Sequence, residues 1–360
     1  MEKFNYQEKI KAELKKISPI LSRLGFELEK KQLHIGGERI ILSQKKLVLL
    51  GVEKSTGNHI IIKCSKFKEG IDEIKREKEV RDHLIKTKFA LDELALPKEI
   101  FFGEKNGYII FITKYIDQEK IFVEHSLPEQ FFMALRALER QESFHATTYE
   151  HLNAVKNVFE VLTSQIYSER FDYFIKNINK NYKNSEMPPL FEKTREFFKK
   201  NLNIINAYSY YLIHEDLVPH NFRINNSQIH TLDCASLHYG NKYESWARFL
   251  NYMIIHNPEL ENKLTQYIKN SRGENEYLCL RLMRIFKITQ LINYHSGLLD
   301  KIEGNFLALT KMRLNFWLKI MSQLLEDKKI SAEDHSDYIQ KRDVLRSEEE
   351  KERQREFAKA

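Results

Sequence analysis

The chain contains the stretch Leu212-Ile-His-Glu-Asp-Leu-Val-Pro-His-Asn221, and the pair Leu232-Asp233 follows eleven residues later, after another apolar run. This arrangement offers a carboxylate at Asp216, an amide at Asn221 and a second carboxylate at Asp233, which lies at the end of a short predicted strand. The three groups could converge on one point. Most Asp and Asn residues in loops only cap turns, so the rest of the chain has to decide whether this group has a chemical role.

Phosphoryl transfer needs such a set: one Asp to orient the attacking hydroxyl and accept its proton, and an Asn and an Asp to hold Mg²⁺ across the nucleotide phosphates. The pattern HxDxxxxN followed by an apolar-Asp pair resembles the catalytic and metal loops of the aminoglycoside phosphotransferase and choline kinase group, within the protein-kinase-like superfamily. The resemblance implies that Asp216 is the catalytic base, that Asn221 and Asp233 are the magnesium ligands, and that His214 is a buried organiser of the loop.

The upstream parts of the family pattern appear in the expected order. Lys63 ends the predicted strand HIIIK, where the family places the lysine that contacts the nucleotide phosphates. On the predicted helix that follows, over residues 67–87, Glu77 shares one face with the apolar residues Ile74, Val80 and Leu84, whereas Glu79 points away. The resemblance therefore implies a Lys63–Glu77 ion pair that holds the lysine over the phosphates.

The strand GYIIFITKYID, residues 107–117, resembles the family's last small-lobe strand and the linker after it. The resemblance implies that ATP meets the backbone of Lys114, Tyr115 and Ile116 along its adenine edge. A glycine-rich phosphate loop is not evident, and Gly36-Gly37 is the only pair of adjacent glycines before the second strand. Phosphate contacts are therefore expected from Gly36, Gly37 and the backbone amides that follow them up to residue 44.

Glycine is scarce, at 12 of 360 residues, and eight of the 12 lie at or before Gly107. None lies between residues 108 and 239, so a turn-rich first third should precede a mostly helical remainder. The predicted fold is α+β and bilobal, with a small antiparallel β-sheet lobe and a larger, mainly helical lobe. The predicted domains are an N-terminal helical extension (1–30), a small nucleotide-binding lobe (31–117), a large catalytic and substrate lobe (118–325) and a charged C-terminal tail (326–360).

The balance of 58 basic and 51 acidic side chains, net +7, does not indicate a nucleic-acid binder. The three widely spaced cysteines, Cys64, Cys234 and Cys279, are expected to be reduced packing residues rather than a disulfide frame or a zinc site. The longest apolar runs fall far short of the roughly 20 residues that span a bilayer. We therefore expect a cytoplasmic protein without a transmembrane segment.

The expected function is ATP- and Mg²⁺-dependent transfer of the γ-phosphate to a hydroxyl of a small molecule. Residues 241–325 contain 12 Lys/Arg against 7 Asp/Glu, which disfavours a polycationic aminoglycoside. A sugar or another neutral or anionic metabolite fits better. A less favoured alternative is choline, bound in an aromatic cage formed by Tyr243, Trp246, Tyr252 and Trp317.

Three positions depart from the family pattern. Glu215 and His220 stand where the family usually has glycine, and Ser245 stands where an aspartate normally braces the catalytic loop. These departures keep open a second hypothesis, a pseudokinase or nucleotide-binding module that recognises a protein partner through the N-terminal helix or the charged tail. A Ser/Thr protein kinase is less favoured, because no Ala-Pro-Glu-like segment follows Asp233.

Overall fold

The computed structural model describes residues 6–30, 32, 46–87, 95–142, 153, 156–183, 187–225 and 228–346. Its contacts divide the chain into two compact units. Unit 1 comprises Met1–Ile121 and Pro219–Ser236, and unit 2 comprises Phe122–Val218 and Leu237–Ala360. Unit 1 thus includes the first 30 residues, which the sequence analysis set apart as an extension, and a segment of the predicted large lobe.

Unit 1 contains a five-stranded sheet in the order β1-β2-β3-β5-β4, and all neighbouring strands are antiparallel. The strands are β1 (Phe26–Leu28), β2 (Leu47–Glu53), β3 (His59–Ser65), β4 (Glu99–Lys105) and β5 (Tyr108–Lys114). The two helices of this unit are α1 (Tyr6–Arg23) and α2 (Lys68–Thr87). The antiparallel sheet and helix α2 agree with the small β-sheet lobe and the helix over residues 67–87 that the sequence predicts.

The sheet is covered on both faces because its strands alternate two apolar sets of side chains. On one face, Ile17 and Leu21 of α1 pack with strand residues that include Leu49 and Ile62. On the other face, Ile74 of α2 packs with Ile109 and Phe111. The apolar face of the N-terminal helix is therefore part of the core of unit 1.

The N-terminal helix continues through Pro19 to Arg23 and stops before Gly25 at φ +88°. One local prediction differs from the structure. Lys63 does not end its strand, because Cys64 and Ser65 continue to pair with β5, and Cys64 also pairs with β2.

The second segment of unit 1 is a hairpin of β7 (Phe222–Asn225) and β8 (Gln228–Thr231). Thr231 N donates to Ala95 O at 3.0 Å, and Asn225 Nδ2 donates to Asp117 O at 2.8 Å. These bonds attach the hairpin to the first segment of the unit. A short 3₁₀ turn, Cys234–Ser236, follows β8 and lies against α2.

Unit 2 is mainly helical. Its helices are α3 (Leu127–Glu142), α4 (Ser164–Asn181), α5 (Met187–Lys200), α6 (Leu202–Ala207), α7 (Tyr243–His256), α8 (Pro258–Ser271), α9 (Glu274–Ser296), α10 (Gly304–Leu325) and α11 (Ala332–Leu345). Strands β6 (Tyr211–His214) and β9 (Leu237–Gly240) pair antiparallel. Helices α7 and α9 are buried along most of their length, so they form the centre of this unit. The predicted α+β architecture is confirmed.

The structure does not support the aromatic cage of the choline hypothesis. Tyr243, Trp246 and Trp317 are at most 3% exposed and belong to the core. All three cysteines are buried free thiols, and burial raises the pKa of each to about 12. No helix in the described part of the chain is both long and apolar enough to span a bilayer.

The predicted tail begins with an ordered helix, α11. Tyr338 stacks on Phe316 of α10 with ring centroids 4.0 Å apart. The proposed phosphate-loop residues Gly36 and Gly37, and the end of the tail from residue 347, lie outside the described residues.

Candidate active site

In unit 1, Lys63 of β3 and Glu77 of α2 form an ion pair. Lys63 Nζ lies 2.8 Å from Glu77 Oε1 and 2.7 Å from Glu77 Oε2. Glu77 is buried on the apolar stripe of α2, while Glu79 is exposed, as the helical spacing predicts. The pair forms because β3 presents Lys63 on the sheet face that α2 covers, in register with Phe111 of β5.

Asp233 joins this pair. Its Oδ1 lies 3.3 Å from Lys63 Nζ, and its side chain is 30% exposed. The backbone of Asp233 has φ +54°, a left-handed conformation that few residues other than glycine adopt. Strained backbone of this kind occurs often at functional sites, and here it lies between β8 and the 3₁₀ turn that contacts α2.

The β7–β8 hairpin brings Asn221 and Asp233 to its open end. Phe222 pairs with Thr231 at the last rung of the ladder, and Leu232 N donates to Asn221 O at 2.9 Å. Asn221 immediately precedes β7, and Asp233 lies two residues after β8. The two residues predicted as metal ligands therefore flank one hairpin.

Lys46, which immediately precedes β2, also belongs to this site, although no motif in the sequence predicts it. Lys46 Nζ lies 3.1 Å from Asp233 Oδ1 and 2.6 Å from Glu73 Oε1. Burial by itself would lower the pKa of Lys46, but the carboxylates of Asp233, Glu77 and Glu73 raise it above its ordinary value. The only sequence signal was strand alternation, which places Lys46 on the same side of β2 as Val48, the partner of Lys63.

The predicted adenine-contacting segment lies at the end of β5. The N–H groups of Lys114 and Tyr115 donate to Lys98 O at 2.8 Å and to His59 O at 3.1 Å. Neither N–H is therefore available to a ligand in this arrangement. The N–H of Ile116 donates a hydrogen bond to no acceptor in the described part of the chain. Of the three N–H groups, that of Ile116 is therefore the one left to donate to a ligand.

In unit 2, the end of β6 is held by Ser245 of α7. Ser245 Oγ lies 2.9 Å from His214 O and 3.2 Å from His214 N, and it also lies 2.7 Å from Gln141 Oε1. His214 is fully buried, and its Nδ1 accepts a hydrogen bond from Asp216 N at 3.2 Å. A serine hydroxyl thus braces the loop at the position where the family pattern has aspartate.

Asp216 is the most accessible member of this group, with a side chain that is 44% exposed. Its Oδ1 accepts a hydrogen bond from Arg248 Nε at 2.7 Å. Arg248 lies one turn after Ser245 on α7, and its guanidinium lies 5.7 Å from the ring centre of Tyr252. Sequence analysis missed Arg248, although its spacing from Ser245 could have indicated that the two share a helical face.

Glu215, which replaces a family glycine, is bound by residues of α9. Glu215 Oε1 lies 3.3 Å from Lys287 Nζ and 2.9 Å from Gln290 Nε2. Lys287 lowers the pKa of Glu215 below its ordinary value, which outweighs the opposing effect of burial. Lys287 Nζ also lies 3.3 Å from Oε1 of Glu244, a buried residue of α7. Both side chains of the Glu215–Lys287 pair are therefore part of a charge network.

That network continues through Glu244 to Tyr167 and His238. Glu244 Oε2 accepts a hydrogen bond from Tyr167 OH at 2.5 Å and lies 3.2 Å from His238 Nε2. Burial alone would raise the pKa of Glu244, but His238 and Lys287 lower it to about 2. A Cβ on Gly240 would lie 2.5 Å from Tyr167 OH. Only glycine therefore fits at that position without moving Tyr167.

The donor set suits Mg²⁺ bound together with a nucleotide better than a cage made by the protein alone. Among the residues described, no cluster of three or more His, Cys, Asp or Glu side chains could hold a metal ion. Mg²⁺ in phosphoryl-transfer sites typically binds one or two carboxylates plus substrate phosphates and water. One carboxylate at Asp233 and one amide oxygen at Asn221 match that requirement, and the two nearby ammonium groups suit the phosphates rather than the metal.

Known proteins were compared with the chain by sequence and by structure. No protein-family model matches the sequence, and no curated protein matches it. Solved structures do share its fold. A GDP complex of aminoglycoside 2'-phosphotransferase-IIIa has a TM-score of 0.55 at 14% identity and covers 92% of this chain and 99% of its own.

Two further solved structures share the fold at similar sequence identity. A macrolide 2'-phosphotransferase type I has a TM-score of 0.56 at 13% identity, covering 84% of this chain and 97% of its own. An amicoumacin kinase in complex with AMP-PNP, Ca²⁺ and Ami has a TM-score of 0.57 at 13% identity, covering 90% and 97%. At such identities the likeness establishes the fold alone, and that fold is the one that the resemblance of the sequence motif implies.

Proposed function

We propose that the protein is an ATP- and Mg²⁺-dependent phosphotransferase that phosphorylates a hydroxyl of a small molecule. The observation that carries this proposal is the contact of Lys63 with both Glu77 and Asp233. These residues lie 14 and 170 positions from Lys63 along the chain. A lysine, its glutamate and a metal-binding aspartate are the parts that kinases use to hold nucleotide phosphates.

Each residue has a role that follows from its surroundings. Lys63, oriented by Glu77, neutralises the phosphates, while Asn221 and Asp233 hold the magnesium ion. The N–H of Ile116 donates to adenine. In unit 2, Asp216 orients the acceptor hydroxyl and accepts its proton. Bound MgATP supplies the transferable phosphoryl group and the counter-charge for it.

The acceptor we propose is neutral or anionic, such as a sugar or a phosphorylated metabolite. Asp216 already contacts Arg248, and Glu215 contacts Lys287. A polycationic aminoglycoside would have to compete with both cations for these carboxylates, whereas an anionic group would be attracted by Arg248. Although similar folds belong to aminoglycoside phosphotransferases, the charges around Asp216 favour a different acceptor class.

One observation favours a second function, a nucleotide-binding module without turnover that recognises a protein partner. Asp216 Oδ1 accepts a hydrogen bond from Arg248 Nε at 2.7 Å, so one oxygen of the proposed base is already occupied by a cation of this chain. The second function predicts that the protein binds MgATP but transfers phosphate to no small molecule.

The test is a transfer assay with γ-labelled ATP, Mg²⁺ and three panels of acceptors: neutral sugars, anionic hydroxyl metabolites and aminoglycosides. We expect transfer to a member of the first or second panel, and we expect Asp216→Asn or Asp233→Asn to abolish it. Asparagine tolerates the left-handed backbone of Asp233 and removes only the charge. The exposed Asp72→Asn on α2 serves as the control and should keep full activity.

Full turnover in Asp216→Asn or Asp233→Asn would contradict the proposed roles of these residues. Binding of MgATP without transfer to any panel would favour the second function. Transfer only to aminoglycosides would overturn the proposed acceptor class and leave the reaction type unchanged.

A further inference from the structure

The charges around Asp233 form two parallel lysine–glutamate pairs. Lys63 pairs with Glu77, and Lys46 pairs with Glu73. Glu73 lies one helical turn before Glu77 on α2, so the two carboxylates project from the same side of the helix. The Lys46–Glu73 pair therefore repeats the Lys63–Glu77 pair one helical turn earlier along α2.

The sheet register explains why the two lysines meet. Val48 of β2 pairs with Lys63 of β3, and Lys46 lies two residues before Val48. Residues two apart in an extended chain face the same side of a sheet. Lys46, immediately before β2, and Lys63, on the adjacent strand β3, therefore both face α2.

Both ammonium groups contact one oxygen. Asp233 Oδ1 lies 3.1 Å from Lys46 Nζ and 3.3 Å from Lys63 Nζ, and each lysine side chain is only 12% exposed. Three carboxylates, those of Glu73, Glu77 and Asp233, face these two ammonium groups, so the cluster has a formal net charge of −1 and favours a further cation at Asp233. Each lysine keeps its own glutamate if Asp233 turns to another cation, and each then has N–H donors for a new acceptor.

We propose that Lys46 is a second phosphate-binding lysine, positioned by Glu73, which contacts the polyphosphate of a nucleoside triphosphate beside Lys63. This inference rests on the proposed nucleotide-binding function and adds a residue to it. It also accounts for the scarcity of glycine before β2. Glycine-rich loops hold phosphates with backbone N–H groups, and a lysine brought to the same phosphates supplies an alternative donor with a full charge.

The experiment measures the affinity of the full chain for MgATP and for adenosine by isothermal titration calorimetry. We expect Lys46→Met to weaken MgATP binding about 10-fold or more, the effect of one charge-assisted hydrogen bond. Adenosine lacks phosphates, so its affinity should change less than about twofold. Glu73→Gln should weaken MgATP binding in the same direction, because Lys46 then loses its positioning partner.

The matched control is Lys68→Met. Lys68 is also a lysine paired with a carboxylate, Asp72, but its side chain is 88% exposed. The Lys68→Met substitution should therefore leave the affinities for MgATP and for adenosine unchanged. Lys46→Arg keeps the positive charge and should recover part of the MgATP affinity lost in Lys46→Met. A circular dichroism melt of each variant verifies that the chain is folded.

Three results would overturn the inference. Unchanged MgATP affinity in Lys46→Met would show that Lys46 does not contact the phosphates. Equal losses for MgATP and adenosine would show that Lys46 only maintains the structure of unit 1. Wild-type protein that binds neither ligand would instead overturn the proposed function itself, and with it the inference.

Discussion

Ser245 Oγ lies within hydrogen-bond distance of both backbone groups of His214, at 2.9 Å from its carbonyl oxygen and 3.2 Å from its nitrogen. A single hydroxyl thus fixes the end of β6 to the buried helix α7. Because Asp216 follows His214 by two residues and bonds to its ring, this contact also sets the start of the loop that carries the proposed base.

Ser245→Ala should destabilise unit 2. The substitution removes the hydroxyl bonded to His214 O in a fully buried position, so we expect the free energy of unfolding to fall by about 1–3 kcal/mol. Urea denaturation followed by circular dichroism measures the change. The control is Ser271→Ala at the exposed end of α8, which should change stability by less than about 0.5 kcal/mol. Equal stability of Ser245→Ala and wild type would show that the brace is unimportant.

Gly240→Ala should disturb the network around Glu244. The new Cβ would lie 2.5 Å from Tyr167 OH and 3.0 Å from His238 Nε2, so one of these rings has to move. We expect a loss of about 1–3 kcal/mol in the free energy of unfolding. Gly297→Ala is the matched control, because Gly297 has a helical φ of −70° and its nearest atoms would lie 3.6 Å from the Cβ. Similar effects of the two substitutions would argue against a steric requirement at Gly240.

Glu77→Gln should lower the free energy of unfolding more than the loss of an exposed ion pair on the same helix does. Lys63 would lose its closest carboxylate in a buried position, and we expect a loss of about 1–3 kcal/mol in unfolding free energy. Glu79→Gln removes an exposed partner of Arg76 and should cost less than about 1 kcal/mol. Chemical denaturation of both variants tests this, and a larger loss for Glu79→Gln would refute the assignment of Glu77 as the inward residue.

The lowered pKa of Glu13 predicts that the stability of unit 1 decreases in acid. Burial would raise the pKa of Glu13, but hydrogen bonds from Lys66, Tyr108 and Lys16 lower it from 4.5 to about 2. A lowered pKa in the folded state means that the stabilisation is complete above about pH 4.5 and is lost as the pH falls towards 2. The contribution is at most about 3.4 kcal/mol, from 1.36 kcal/mol per pKa unit, and exposure of part of the side chain to solvent reduces it.

The measurement compares wild type with Glu13→Gln in unfolding experiments from pH 7 to pH 2.5. The difference in unfolding free energy should be constant down to about pH 4.5 and shrink below it. Glu27→Gln, which removes an exposed partner of Lys54, should show no such trend. A difference that grows as the pH falls would contradict the predicted sign.

The sequence alone was sufficient to predict the fold class and the order in which the proposed site residues follow one another along the chain. The resemblance of short stretches to a known family pointed to Lys63 and Asp233, and helical periodicity placed Glu77 on the inward face of its helix. These signals are local in the chain. The uneven distribution of glycine also separated a turn-rich first third from a helical remainder. Local backbone preferences and the alternation of apolar side chains determine such features, so they can be read without knowledge of long-range contacts.

The tertiary structure decided which charged groups meet. Lys46 lies 187 residues from Asp233, and Arg248 lies 32 residues from Asp216, and no periodicity links either pair. Lys46 reaches Asp233 only through the register of β2 with β3 and the attachment of the β7–β8 hairpin to unit 1. An ion pair forms wherever packed elements bring opposite charges within a few ångströms. The packing of whole elements, and not the sequence near each residue, therefore determines the charges around Asp233 and Asp216.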